Sequence, residues 1–190
     1  MDRLLDLAQQ IGAIKFGDFT LTSGEKSNRY FEGKLLTLHP EGSRLVSEAI
    51  YSLLEGAEID AIGGLIIGAI PIATAVSMLS YEKDRPVPAF IVRDQQKEHG
   101  TRRLIEGHLK PGQRVAIVDD VITYGGSVER AIREVERAGC RVAKVITIVD
   151  RLQGGSEKLK AEGYDFFALI DFLPDGTLRN NVTGNTLIPE

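Results

Sequence analysis

Two adjacent carboxylates, Asp119 and Asp120, close a run of four apolar residues, Val115-Ala116-Ile117-Val118. After them come Val121-Ile122-Thr123-Tyr124-Gly125-Gly126-Ser127, and then apolar residues at 128, 131, 132, 135 and 138, which is helical spacing. The stretch reads as strand, acidic tip, small-residue loop and helix. Such a loop offers free backbone N–H groups, the positive end of a helix dipole and the hydroxyls of Thr123 and Ser127, which together make an anion site. Phosphate fits it best, because Gly125 and Gly126 allow close backbone approach. Two acids after an apolar strand also occur as a solvated or helix-capping pair, and it is the Thr, Gly and Ser beside them that favour a ligand. No G-x-x-x-x-G-K-S/T loop occurs anywhere, and Gly63-Gly64 and Gly68 have the wrong spacing for a dinucleotide fingerprint.

The elements that must hold this tip follow from periodicity. Residues 2–13 place Leu4, Leu5, Leu7, Ala8 and Ile11 on one side of a helix ending at Gly12. Residues 16–21 alternate as a strand, 22–27 have turn composition, and 28–32 are a returning strand. Pro40 suits the first turn of a helix whose buried stripe is Leu45, Val46, Ala49, Ile50, Leu53 and Leu54. Ala61 to Ile67 reads as an apolar strand, Gly68-Ala69 as a turn, and Ile70 to Leu79 as a helix. Val87 to Val92 and Val142 to Val149 are further apolar strands, the second ending in Asp150-Arg151. Short strands are expected over 164–170 and 177–188, with a turn at Pro174-Asp175-Gly176.

Repeated strand–helix alternation with continuous apolar strands predicts an α/β fold: a central, mostly parallel sheet covered on both faces by helices. The hairpin and the last strands lie outside that pattern and are expected to form a small appended subdomain. In open sheets of this kind ligands gather at the carboxyl ends of the strands. Asp119-Asp120, Arg93 and Arg151 all fall at such ends. From Arg93 to Arg103 there is no Val, Ile, Leu or Phe, a composition that suits a functional loop or a disordered one.

The chain has 190 residues, 43% hydrophobic and 26% charged, with a net charge of -4, enough for one domain with its own core. The acidic balance argues against a general nucleic-acid surface. The single Cys140 excludes an internal disulfide framework. No signal pattern and no apolar run approaching the ~20 residues that span a bilayer is present, so a cytoplasmic location without membrane contact is expected. His39 before Pro40 and His108 in a Gly-His-Leu loop read as surface residues.

From Val115 to Ser127 the sequence resembles the signature of type I phosphoribosyltransferases. Three further stretches, Phe19 to Ser27, Arg93 through Gly100 with Lys97 and His99, and Arg151 after a strand, resemble the orotate phosphoribosyltransferases. The resemblance covers about residue 16 to 151. It implies the type I phosphoribosyltransferase fold as one domain over 1–190, with a hood from about 1–36 and 164–190. It implies transfer of the 5-phosphoribosyl group from phosphoribosyl diphosphate (PRPP) to orotate, giving orotidine 5'-phosphate and diphosphate in pyrimidine biosynthesis.

By the same resemblance Lys26, Arg93, Lys97 and His99 contact the diphosphate donor. Asp119, Asp120, Val121, Ile122, Thr123, Tyr124, Gly125, Gly126 and Ser127 bind its ribose 5-phosphate, and Tyr30, Phe31, Thr123 and Arg151 meet orotate. Lys97, His99, Asp119 and Asp120 are the residues expected to act in catalysis. Magnesium (Mg2+) is implied, held mainly by substrate oxygens and not directly by the chain. The family's homodimer is implied too, with the loop after Arg93 reaching the neighbouring subunit's site.

Two departures from many family members stand out, Ile67-Gly68 in place of Tyr-Lys and Asp94 in place of a lysine after the loop arginine. An anion at 94 beside a diphosphate is expected to weaken binding or to shift the burden to Lys97, Arg102 or Arg103. The alternatives are transfer to another base and a catalytically silent regulator with this fold. A DNA-reading regulator would need a helix-turn-helix or a basic face, and the sequence has neither.

Overall fold

The computed structural model describes residues 2–20, 26–94 and 104–188. Helix α1 (Arg3–Gln10) starts where Asp2 accepts the Leu5 N–H through its side chain, and it buries Leu4, Leu5, Leu7 and Ala8. Strands β1 (Ile14–Thr20) and β2 (Lys26–Phe31) form an antiparallel hairpin. Two helices follow, α2 (Gly33–Thr37) and α3 (Pro40–Leu54). Pro40 opens α3, and the His39 imidazole accepts the Gly42 N–H. The alternating core comprises β3 (Ala61–Leu65), α4 (Ala69–Glu82), β4 (Ala89–Val92), β5 (Ile105–Gly107), β6 (Arg114–Ile122), α5 (Gly126–Arg137), β7 (Arg141–Asp150), α6 (Gly155–Ala161) and β8 (Phe166–Phe172). Strands β9 (Leu178–Asn180) and β10 (Thr186–Leu187) end the described chain.

The main sheet has the order β10-β9-β8-β7-β6-β3-β4-β5. Strands β4, β3, β6, β7 and β8 are parallel to their neighbours, while β5, β9 and β10 add antiparallel edges. Helices α1, α3 and α4 pack in the core on one face, and α5 and α6 in the core on the other. Along β6 the alternation is clear: Ala116 and Val118 belong to the first core, Val115 and Ile117 to the second. The chain runs outward from the β3–β6 boundary in both directions, which makes that boundary the topological switch point of the sheet.

The last strands extend the main sheet, β9 antiparallel to β8 and β10 antiparallel to β9, and the hairpin is a separate two-stranded sheet. The hairpin docks on β8 through side chains, with Phe31 edge-on to Phe172 at 6.4 Å and the Arg29 guanidinium over the same ring at 5.0 Å. Two expectations change. The apolar stretch from Ala61 leaves the sheet at Leu65, two residues early, where Ile66 donates to the Val92 carbonyl and the chain turns. Strand β6 runs through both carboxylates to Ile122, so the acids lie within the strand rather than beyond it. Among the described residues no helix is long and apolar enough to cross a membrane.

Candidate active site

The parallel strands end along one edge of the sheet, and their order sets the order of the site residues. Arg151 follows β7, the two acids and the Gly-Gly turn end β6, the Ile66–Gly68 turn follows β3, and Arg93 follows β4. Side-chain alternation then separates the two acids. Asp119 shares the face of Val115 and Ile117 and points toward α5, where it accepts the Ser127 hydroxyl at 2.7 Å. Asp120 shares the face of Ala116 and Val118 and points toward α2, where the Lys34 ammonium lies 3.8 Å from its Oδ2. The Asp120 N–H also donates to Asp119 Oδ1 at 2.9 Å.

Two glycines make room for the pair. A Cβ on Gly33 would come within 2.6 Å of Asp120 Oδ2, and one on Gly68 within 2.4 Å of Asp119 Oδ1. Both carboxylates are bonded or ion-paired where they stand, so a side chain at either position would have to displace them. At the departure noted above, a lysine in place of Gly68 would have to move the Asp119 carboxylate. The acids are 7% and 9% exposed, and burial pushes both carboxyls above the ordinary carboxylate range. Asp119 rises to about 7; burial is the main cause, opposed by the Ser127 bond and reinforced by the charge of Asp120. For Asp120 the same burial is opposed by Lys34.

The loop after β6 is built to close over an anion. Gly125 has φ of 89°, a conformation that favours glycine, and it opens α5 without a side-chain cap. The first-turn N–H groups of α5 therefore lack intrahelical partners by geometry. Gly155 at the start of α6 braces the loop by donating to the Thr123 carbonyl at 3.1 Å. Val121 and Ile122 pack in the two cores, so any ligand contact they make comes from their backbone.

The Arg151 N–H donates to the Ile122 carbonyl at 3.0 Å, which fixes the residue beside the tip. Its guanidinium is half-buried and lowered by that burial, with Tyr30 and Asp120 opposing. Tyr30 is half-buried on β2, tilted against Phe19 at 5.6 Å, and its hydroxyl donates to Glu32 at 3.2 Å. Strand alternation sends Phe31 the other way: it is 4% exposed and in the core. Tyr30 and Phe31 therefore turn their rings to opposite sides of β2.

Arg93 lies at the edge beyond β3, with its backbone N–H on Leu104 and its guanidinium 3.6 Å from Glu106. Its Nε is buried without a hydrogen-bond partner among the described residues. Lys26 is exposed at the start of β2, opposite Thr20. Lys97 and His99, like Arg102 and Arg103, lie outside the described residues. Asp94 ion-pairs with Arg130 on α5 at 2.8 Å, and Arg130 also donates to its carbonyl. The anion at 94 is thus matched by a cation 36 residues away. Sequence reasoning missed Gly33, Lys34 and Arg130; only the Gly-Lys pair one residue after Tyr30-Phe31 was a sign of the first two.

A parallel sheet with its ligand edge at the switch point, a diacid and a Gly-Gly turn on a helix N-terminus define a phosphoribosyltransferase site. Residues 34–168 match the family described as phosphoribosyl transferase domain. A curated relative from Nostoc sp., an orotate phosphoribosyltransferase, is 43% identical over 172 residues, covering 90% of this chain and 82% of its own. The Mycobacterium tuberculosis orotate phosphoribosyltransferase solved with Fe(III) dicitrate superposes with a TM-score of 0.77 at 36% identity, over 88% of this chain and 94% of that one. The same protein solved with PRPP gives 0.73 at 33%, over 88% and 93%. The chain belongs to the orotate phosphoribosyltransferase family.

The raised carboxyls carry a stability signature. A carboxyl held above its unfolded value favours the fold fully below that value, and the benefit is lost as pH rises through the folded one. Asp119→Asn is therefore expected to raise unfolding free energy at pH 8 by about 1 kcal/mol or more, with the gain shrinking toward pH 4. Denaturant unfolding at the two pH values checks this, and an equal gain at both would assign it to something other than charge burial.

Proposed function

We propose that this chain transfers the 5-phosphoribosyl group of PRPP to orotate, with the donor's ribose phosphate on Asp119–Ser127 and the base between Tyr30 and Arg151. The observation that carries the assignment of parts is the diacid–Gly–Gly–Ser tip at the switch point with a half-buried arginine on the adjoining strand. The ring nitrogen of orotate gives up its N–H proton, which leaves with the diphosphate, and forms the new bond to the ribose anomeric carbon while the carbon–oxygen bond to diphosphate breaks, its electron pair leaving with diphosphate. Positive charge builds on the ribose ring as the leaving group departs, as in glycosyl transfer generally. Asp119 and Asp120 orient the ribose 2- and 3-hydroxyls and favour that charge, and the N–H groups at the start of α5 hold the 5-phosphate. Arg151 has the fork geometry to bind the orotate carboxylate in two hydrogen bonds, which favours an acidic base over a neutral one. Arg93, Lys26, Lys97 and His99 serve the leaving diphosphate.

Among the described residues no group of three or more His, Cys, Asp or Glu could hold a metal ion. A magnesium ion, which prefers oxygen ligands and retained waters, would be carried to this site mainly on the donor. It would supply positive charge against the diphosphate. We place the protein in the cytoplasm.

The partner is a second copy of the chain. Leu38, Ile67 and Met78 are each more than half exposed and line one side of α2, the turn after β3 and α4. Apolar surface of this kind marks an interface, and Ile67 adjoins Gly68 at the site. In this arrangement the polar stretch after Arg93, to Arg103, serves the neighbouring subunit's site.

Orotate absorbance should fall on adding PRPP with magnesium, and should not change with the metal chelated. Turnover with uracil or a purine in place of orotate would overturn the base assignment. Lys97→Ala and Asp119→Asn are each expected to lose at least about 10²-fold in turnover. Mixing the two inactive proteins should restore up to about a quarter of wild-type activity if sites are shared between subunits. No recovery after demonstrated subunit exchange would exclude sharing.

A further inference from the structure

Glu32 and Lys34 form a charged pair beside the tip. Glu32, the residue before α2, accepts the Tyr30 hydroxyl at 3.2 Å. The Lys34 ammonium lies 2.7 Å from Glu32 Oε1 and 3.8 Å from Asp120 Oδ2. Gly33 between them presses against Asp120 and holds the start of α2 at the carboxylate. A half-exposed lysine on a one-turn helix would ordinarily extend into water. This one is turned back toward two carboxylates, and its charge is favoured by both. The charged groups facing Asp120 are Asp119 on its own strand, Glu32 and Lys34 from the β2–α2 segment, and Arg151 after β7. The turn before α4 brings Gly68 against it. Arg151 faces both Tyr30 and Asp120, and Lys34 is the cation within ion-pair distance of the Asp120 carboxylate.

We propose that Lys34 is a positioning residue: braced by Glu32, it fixes the direction and charge of the Asp120 carboxylate that meets the donor's ribose. The contacts Tyr30–Glu32–Lys34–Asp120 then run unbroken from the base side of the site to the ribose side. The inference rests on the diacid being the ribose site, and its test separates the two. A nearby cation favours the ionised carboxylate, so its removal matters most at low pH, where Asp120 is nearest to taking up a proton.

The experiment is calorimetric titration with PRPP and magnesium at pH 6 and pH 9. It uses the wild type, Lys34→Met, Lys34→Arg, Asp120→Asn, and Asp120→Asn combined with Lys34→Met. Lys34→Met is expected to weaken donor binding about tenfold at pH 6 and less at pH 9, and Lys34→Arg to restore it to within about threefold. In the Asp120→Asn background Lys34→Met should add no more than about twofold, because the lysine acts through that carboxylate. Arg44→Ala, which removes an exposed cation paired with Glu48 on α3, should bind as the wild type does. Unchanged affinity in Lys34→Met at pH 6, the same tenfold loss without Asp120, or an equal loss in Arg44→Ala would each overturn the proposal. Failure of the wild type to bind donor would overturn the functional reading itself, and this inference with it.

Discussion

Two like charges held side by side in a crevice with almost no solvent exposure are the constraint on which the rest of the site depends. Burial and mutual repulsion both oppose ionising Asp119 and Asp120. The fold answers with one partner on each side of the sheet. The hydroxyl of Ser127 holds Asp119 from α5, and the ammonium of Lys34 approaches Asp120 from α2. Strand alternation makes this division possible, since consecutive residues on β6 face opposite layers. Gly33 and Gly68 then close the crevice from both ends at distances no other residue could accept without moving the acids.

That constraint explains why the site sits where it does. Only at the switch point does a strand end have open space beside it, because the connecting helices leave to opposite faces. The order of strands along that edge arranges Arg151, the diacid and Arg93 in a line. Cations at the two ends and carboxylates between them suit a substrate pair whose anionic groups lie at its extremities and whose developing positive charge lies at its centre. The match between Asp94 and Arg130 belongs to the same economy of charge: a carboxylate beside an anion site is turned aside by a cation on the neighbouring helix.

Much of this was legible in the sequence where the signal was local. The apolar run, acids, small-residue turn and helical stripe from Val115 to Ala138 occupy one continuous stretch and reported their own structure. Pro40 and the stripe behind it did the same for α3. What failed was non-local or short. Helix α2 is one turn, too short for periodicity, and β5 is three residues whose identity depends on its pairing with β4. The attachment of β9 to β8 is a matter of register that composition does not encode. Lys34 and Arg130 acquire meaning only from partners distant in sequence. On β2, period-two alternation alone sends Tyr30 and Phe31 to opposite sides.

The central claim is that the diacid and the Gly-Gly turn hold the donor's ribose phosphate. A crystal structure with PRPP and magnesium tests it most directly. The account predicts the 5-phosphate on the backbone N–H groups of residues 123–127 and the ribose 2- and 3-hydroxyls within hydrogen-bond distance of Asp119 and Asp120. A ribose bound away from those carboxylates, or a 5-phosphate held elsewhere on the sheet edge, would contradict it.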